Sequence, residues 1–186
     1  MKSAPTYYWS TFRTPAGPFS LALDPSGAVA ATAFGGRARL RSRLGPGRLV
    51  RDDRRASAAR RAVEAYFADP RRPFRLRLAP SGTPFRLKAW RALARIPAGR
   101  TRTYGELAAE IGGSPRAVGG AMGANPICLL LPCHRVVGSD GSLTGFAFGE
   151  AIKRRLLQAE GAIGSPRPAP RASPDPSGRG RTRPRC

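Results

Sequence analysis

The stretch Thr103-Tyr104-Gly105-Glu106-Leu107-Ala108-Ala109-Glu110-Ile111-Gly112-Gly113-Ser114-Pro115-Arg116-Ala117-Val118-Gly119-Gly120-Ala121-Met122-Gly123-Ala124 decides the architecture. Thr103 with Glu106 three residues on is a capping box, in which each residue satisfies a backbone or side-chain group of the other at a helix start. That helix runs through Ile111, and Gly112-Gly113 stops it. Ser114 can cap a second helix with Pro115 at its first position, where a missing N–H costs nothing. Two short helices joined by a tight glycine turn predict a helix-turn-helix. Its second helix offers almost only glycine and alanine after Arg116, so it carries no long polar side chains with which to read base edges in a major groove. Three glycines cost about 1 kcal/mol each relative to alanine. Either another helix packs closely there, or the helix lies against a narrow minor groove with Arg116 intruding.

Upstream, Thr83 caps a further helix with Pro84 at its first position, and Phe85, Ala89, Leu93 and Ile96 form its apolar stripe. Residues 1–80 read as a small α/β unit. Tyr7 to Phe12, Pro18 to Leu23 and Ala28 to Phe34 are strand-like, with a turn at Asp24-Pro25-Ser26-Gly27. Arg37 to Arg51 reads as an Arg-rich loop, Asp52 to Phe67 as a helix, and Phe74 to Leu78 as a half-buried strand. Downstream of Gly164, six prolines and six arginines in a short segment predict a disordered basic tail ending in Cys186. The domains expected are therefore 1–80, 81–163 and the tail 164–186.

The chain has 186 residues and a formal net charge of +22, from 33 Lys plus Arg against 11 Asp plus Glu. Such an excess is the footprint of a polyanion binder, although Arg-rich codon usage would also raise it. The longest apolar run, Ile127 to Leu131, is far short of the roughly 18 residues of a membrane span. MKSAPTYYWS has no apolar core, so no secretory signal is expected. An odd number of cysteines then predicts free thiols in a reducing cytoplasm. The one histidine, His134, excludes multi-histidine metal sites, and no metal or cofactor is expected.

Chemistry concentrates in Asn125-Pro126-Ile127-Cys128-Leu129-Leu130-Leu131-Pro132-Cys133-His134-Arg135-Val136-Val137. A thiol is a nucleophile as thiolate, so Cys133 needs a base or a positive field, which His134 could supply. Neighbours in extended chain point apart, which favours a bridging water over direct contact. Glu150 to Glu160 reads as a helix ended by Gly161, with Ile152, Leu156 and Glu160 on one buried stripe. A buried carboxylate requires a partner, and His134 is the natural one, its tautomer then fixed as in a triad. Cys128 reads as a small core residue.

Pro132-Cys133-His134-Arg135-Val136 resembles the signature of the O6-alkylguanine-DNA alkyltransferases, also called methylated-DNA–protein-cysteine methyltransferases. The resemblance runs from Thr83 to Gly161 through GTPFRLKAW, TYGELA, RAVGGAMGANP and LPCHRVVGSDGSLTGFAFG. It implies an α/β (α+β) protein, with a small RNase H-like amino-terminal domain and a helical carboxy-terminal domain holding the helix-turn-helix. It further implies a single-turnover DNA repair reaction. Double-stranded DNA is bound through the minor groove without sequence specificity, an O6-alkylguanine (or O4-alkylthymine) is flipped out, and Cys133 takes the alkyl group by in-line displacement. A water would link Cys133 to His134, Glu160 would hold His134, and Asn125 would position the Cys133 turn. Arg116 would fill the gap left by the flipped base, on a face shared with Ala117, Gly120 and Ala121. Tyr104 would rotate the target phosphate and donate to the departing guanine. The backbones of Cys133 and Val136 would accept from its amine, and the amide of Ala147 would meet O6. A cytoplasmic, nucleoid-associated monomer without membrane contact is expected. This chain departs from the usual pattern in a shortened turn before Arg116 and in Phe146 and Phe148 of the loop Gly145-Phe146-Ala147-Phe148-Gly149, where Phe148 is expected to narrow the pocket against benzyl-sized groups. The rival readings are a silent binder of alkylated DNA and a cysteine hydrolase.

Overall fold

In the computed structural model, which describes residues 4–164, three apolar runs near the amino terminus form a meander. Strand β1 (Thr6–Thr14) pairs antiparallel with β2 (Gly17–Leu23), and β2 with β3 (Val29–Phe34). Gly17 closes the first hairpin at φ +114°, a conformation that glycine adopts without strain. Side-chain alternation splits the sheet into two faces. Phe12, Phe19, Leu21 and Leu23 enter the main core, whereas Ala22, Ala31 and Ala33 pack under Leu40.

The Arg-rich segment is not the loop expected from its composition. It contains helix α1 (Arg37–Arg41), whose Leu40 covers the second face, and strand β4 (Arg48–Arg51), which pairs parallel with β1 and completes the order β3-β2-β1-β4. Leu49 and Val50 form too short an apolar run to announce a strand. Conversely, Phe74 to Leu78 is no strand; it touches the sheet through a single bridge between Val29 and Leu78. Helix α2 (Ser57–Ala68) begins later than expected, after a turn over Asp52 to Ala56, and buries Ala59, Val63 and Tyr66.

Helix α3 (Pro84–Ala94) starts at Thr83, whose hydroxyl accepts from the amide of Arg86. Two-residue strand β5 (Arg102–Thr103) leads into α4 (Tyr104–Ile111), where both halves of the capping box are made. Gly112, at φ +71°, turns the chain into α5 (Pro115–Gly123), capped by Ser114. A 3₁₀ turn at Cys133–Arg135, strand β6 (Val136–Val137) parallel to β5, and helix α6 (Glu150–Ala159) complete the chain. One apolar cluster runs from the sheet through α3, α4 and α5 to the segment before Cys133. The sheet also grips that segment directly: Thr32 donates from its amide to the Pro126 carbonyl (2.8 Å) and from its hydroxyl to the Cys128 carbonyl (2.6 Å). Apart from Gly164, the expected tail 164–186, Cys186 included, lies outside the described residues. Among the described residues no helix is long and apolar enough to cross a membrane.

Candidate active site

Asn125 ends the turn after α5 and organises the segment that leads to the thiol. Its side-chain oxygen accepts from the Ile127 amide (3.0 Å), and its Nδ2 donates to the Leu131 carbonyl (2.8 Å). These bonds bend the chain back on itself, with Leu129 held at φ +72°, a left-handed conformation that costs a branched side chain energy. The Cys133 amide then donates to the Leu131 carbonyl, and the chain enters the 3₁₀ turn. Cys133 and His134 are thus neighbours on a tight turn rather than on extended chain. Cys133 keeps 6% of its surface exposed, and His134 keeps none.

The imidazole is turned inward. His134 Nε2 lies 2.9 Å from Glu160 Oε1, so the partner expected from the helical stripe is in place, at the C-cap of α6. Burial alone would push the Glu160 carboxyl up. Hydrogen bonds from His134, Arg135 and Tyr66 overcome it and hold the group down to about 2. An ionised carboxylate can only accept, so Nε2 carries the proton and Nδ1 keeps the lone pair. Nδ1 has no protein hydrogen-bond partner among the described residues. Burial pushes the imidazole below its ordinary value, against the pull of Glu160, so at neutral pH His134 is an uncharged base. The Cys133 thiol is pushed up by burial; a hydrogen bond from Asn125 and the charges of Arg43 and Lys153 oppose that rise.

Four further residues have a hand in this cluster, and none of them was assigned a role from the sequence. Arg135 holds both Glu160 oxygens (2.7 Å from Nη2 to Oε1, 2.9 Å from Nε to Oε2) and donates Nη1 to the Ile96 carbonyl. Tyr66 Oη donates to Glu160 Oε1 at 2.6 Å. Lys153 is fully buried and donates Nζ to the carbonyls of Val136 (2.6 Å) and Thr144 (3.3 Å); burial brings its pKa down to about 8. Arg43 reaches across from the amino-terminal unit to the carbonyls of Gly123 (2.7 Å) and Asn125 (3.2 Å), with its guanidinium over the Phe148 ring. Lys153 alone had a readable signal, since it sits beside Ile152 and Leu156 on the same buried side of α6 that pointed to Glu160.

The remaining expected residues fall into two groups. Near the thiol, Tyr104 Oη donates to the Thr144 carbonyl (3.4 Å) on the loop before Gly145, and burial together with the charge of Cys133 raises its pKa. A side chain at Gly145 would sit 2.8 Å from that hydroxyl. The Val136 carbonyl, expected to face a bound base, spends one lone pair on Lys153, while Ala147 is exposed on the loop. Phe148 packs edge-on to Phe34 and Phe146. On the outer face of α5, Arg116, Ala117 and Gly120 are exposed. Ala121 is not on that face: it is 2% exposed, and its carbonyl accepts from the Trp90 indole, because its helical position points at α3. A Cβ built at Gly119, Gly120 or Gly123 would meet nothing within 4 Å among the described residues, so close packing against them is not the reason for the glycines.

The chain is similar to proteins already known. The family model described as "6-O-methylguanine DNA methyltransferase, DNA binding domain" matches residues 84–162. A methylated-DNA–protein-cysteine methyltransferase of Methanosarcina acetivorans is 43% identical over 157 residues, covering 83% of this chain and 99% of that protein. Among solved structures, the O6-methylguanine methyltransferase of Mycobacterium tuberculosis superposes with a TM-score of 0.72 at 36% identity, over 85% of this chain and 93% of that one. A Mycobacterium tuberculosis OGT in complex with DNA gives 0.74 at 38% identity, over 83% and 93%.

Proposed function

Because the chain belongs to the methylated-DNA–protein-cysteine methyltransferases, we propose that it repairs DNA by transferring the alkyl group of an O6-alkylguanine, and of O4-alkylthymine, to Cys133. The observation that carries this reading is the buried relay from Glu160 to His134, which leaves the imidazole Nδ1 as a free base on the turn that presents a thiol. In the reaction, Nδ1 takes the thiol proton, directly or through a water. The sulfur attacks the alkyl carbon in line, an S–C bond forms and the C–O6 bond breaks. Its electron pair passes to guanine, which then takes up a proton, with the Tyr104 hydroxyl as the donor at hand. A thioether is not reversed by any group in the cluster, so each molecule acts once. Asn125 holds the turn, while the Cys133 and Val136 carbonyls and the Ala147 amide receive the base.

The DNA face is the outer side of α5. Glycines at 119, 120 and 123 that spare no internal clash are explained by a close external surface, as a minor groove gives. Arg116 would stand in for a base flipped out of the stack, at a cost that is smallest where alkylation has already weakened pairing. High positive charge supplies sequence-independent affinity. Residues 81–163 carry out binding and transfer, and residues 1–80 brace the Cys133 turn through Thr32. The protein works as a monomer on cytoplasmic, nucleoid DNA.

Incubation with duplex DNA containing O6-methylguanine, followed by intact-protein mass, tests the proposal. The protein is expected to gain one methyl, on Cys133, once. Cys133→Ala is expected to retain DNA binding and to lose transfer. Unmodified wild-type protein would instead indicate a silent binder, and repeated turnover on an ester would indicate a hydrolase; either result overturns the reading.

A further inference from the structure

We propose that Tyr66, supplied by helix α2 of the amino-terminal unit, is a positioning residue for alkyl transfer: its hydroxyl shares the Glu160 carboxylate with His134 and so sets how strongly the imidazole can draw the proton from Cys133. The inference rests on Cys133 and His134 acting as nucleophile and base. Its ground is the crowding at one atom. Glu160 Oε1 accepts from Tyr66 Oη (2.6 Å), His134 Nε2 (2.9 Å) and Arg135 Nη2 (2.7 Å), with Arg135 Nε at 3.2 Å, while Oε2 accepts only Arg135 Nε (2.9 Å). A carboxylate oxygen offers about two lone-pair sites. Donors beyond that number compete, and each withdraws charge that would otherwise strengthen the bond to the imidazole. A short O–H···O⁻ contact is among the stronger of such bonds.

The ionisable groups around the relay come from four elements. Glu160 faces Tyr66 from α2 and both His134 and Arg135 from the 3₁₀ turn; Lys153 from α6 and Arg135 bear on His134; Cys133 feels Lys153 and Arg43, the latter from the segment between α1 and β4. Of the two donors that share Glu160 with His134, Arg135 is charged and Tyr66 is neutral, so removing the Tyr66 hydroxyl alters the carboxylate without deleting a charge. Burial, with the Glu160 charge beside it, raises the phenol well above its ordinary value, so it stays a donor throughout the working range. The ring needs no hydroxyl to stay where it is. It is 1% exposed, stacked on Phe74 at 5.3 Å and edge-on to Phe67 at 5.2 Å. A residue that served packing alone would leave a buried hydroxyl to be satisfied at a cost.

Because the chain holds a single histidine, one imidazole reports the effect. In Tyr66→Phe protein labelled with ¹⁵N-histidine, the bond from Nε2–H to Glu160 strengthens. Its proton resonance is expected to move downfield, and the His134 midpoint to rise by roughly half a pH unit. Placing 3-fluorotyrosine at position 66, a stronger donor of almost the same shape, is expected to move both the other way. The acid limb of the methyl-transfer rate tracks the midpoint in each protein. A folded Tyr66→Phe protein with unmoved proton resonance and midpoint overturns the proposal, whatever its transfer rate. A shifted imidazole in proteins that never take up a methyl group would uphold the shared carboxylate and overturn the repair reaction it is proposed to serve.

Discussion

Replacing Gly119 and Gly120 together by alanine separates the stability of α5 from its use. Neither position accommodates a neighbour: among the described residues, an added Cβ meets no heavy atom within 4 Å at either. The substitutions therefore carry no steric cost in the free protein, and each recovers about 1 kcal/mol of helix propensity. Adjacent helical positions do not face one another, so the two gains add to about 2 kcal/mol. For a chain of this length that is a rise in Tm of roughly 4–8 °C. The same two methyl groups stand on the face proposed to lie in the minor groove, alongside exposed Arg116, and hold the helix off the sugar edges. Loss of close contact along one groove wall is expected to weaken duplex affinity about tenfold, equivalent to roughly 1.4 kcal/mol. Thermal melting and fluorescence-anisotropy titration at fixed salt measure the two quantities on one sample. Opposite signs are required. A stabilised protein that binds duplex DNA as tightly as before would show that α5 is not the DNA face, and a destabilised one would refute the open space around the glycines.

The relay and the pocket loop each carry a further expected outcome. Glu160, held down to about 2 from an ordinary 4.5, contributes about 3 kcal/mol that is complete above pH 4.5 and is lost as pH falls towards 2. His134, depressed by burial, adds a loss that begins as pH falls below 6.5, where the unfolded chain binds a proton the folded imidazole refuses; urea unfolding is expected to weaken steadily below that pH, and Glu160→Gln to flatten the acid end, whereas a wild-type profile level down to pH 3 would contradict the geometry. Phe148, packed against Phe34 and Phe146 under Arg43, is expected to restrict bulky groups. Free O6-benzylguanine should then inactivate Phe148→Ala protein at least tenfold faster than wild type, and equal rates would remove Phe148 from the pocket.

The range of each interaction decides whether the sequence discloses it. The helix-turn-helix was legible because Thr103, Glu106, Gly112 and Ser114 act within four residues of themselves. Glu160 was legible because a carboxylate on an apolar stripe demands a partner, and the only histidine was available. The same physics applies to Lys153, but its buried place on α6 is masked because lysine stems so often snorkel to the surface. Tyr66 and Arg43 could not be read at all. Each meets the site across some 80 to 94 residues of chain, and each belongs to a segment whose local pattern explains it fully, as a helix-stripe aromatic or one arginine among many. Helix α1 and strand β4 were hidden for the related reason that arginines diluted the apolar signal of Leu40, Leu49 and Val50.

These long-range contacts bear on why the amino-terminal unit is retained beside the unit that carries the thiol. Burial holds the thiol above its ordinary pKa and the imidazole below its own, so in the free protein both are neutral and the sulfur is a poor nucleophile. For a reagent that is spent on first use, such restraint has value: a permanently ionised thiol would react with any soluble alkylating agent. Residues 1–80 touch the pair at three points. Thr32 pins the segment before the thiol, Arg43 holds the Asn125 carbonyl and, against the effect of burial, favours the thiolate, and Tyr66 shares the Glu160 carboxylate with His134. The amino-terminal unit thus reaches both ends of the relay, the Cys133 turn through Thr32 and Arg43 and the Glu160 carboxylate through Tyr66, so a change in its packing is felt at the nucleophile and at its base together.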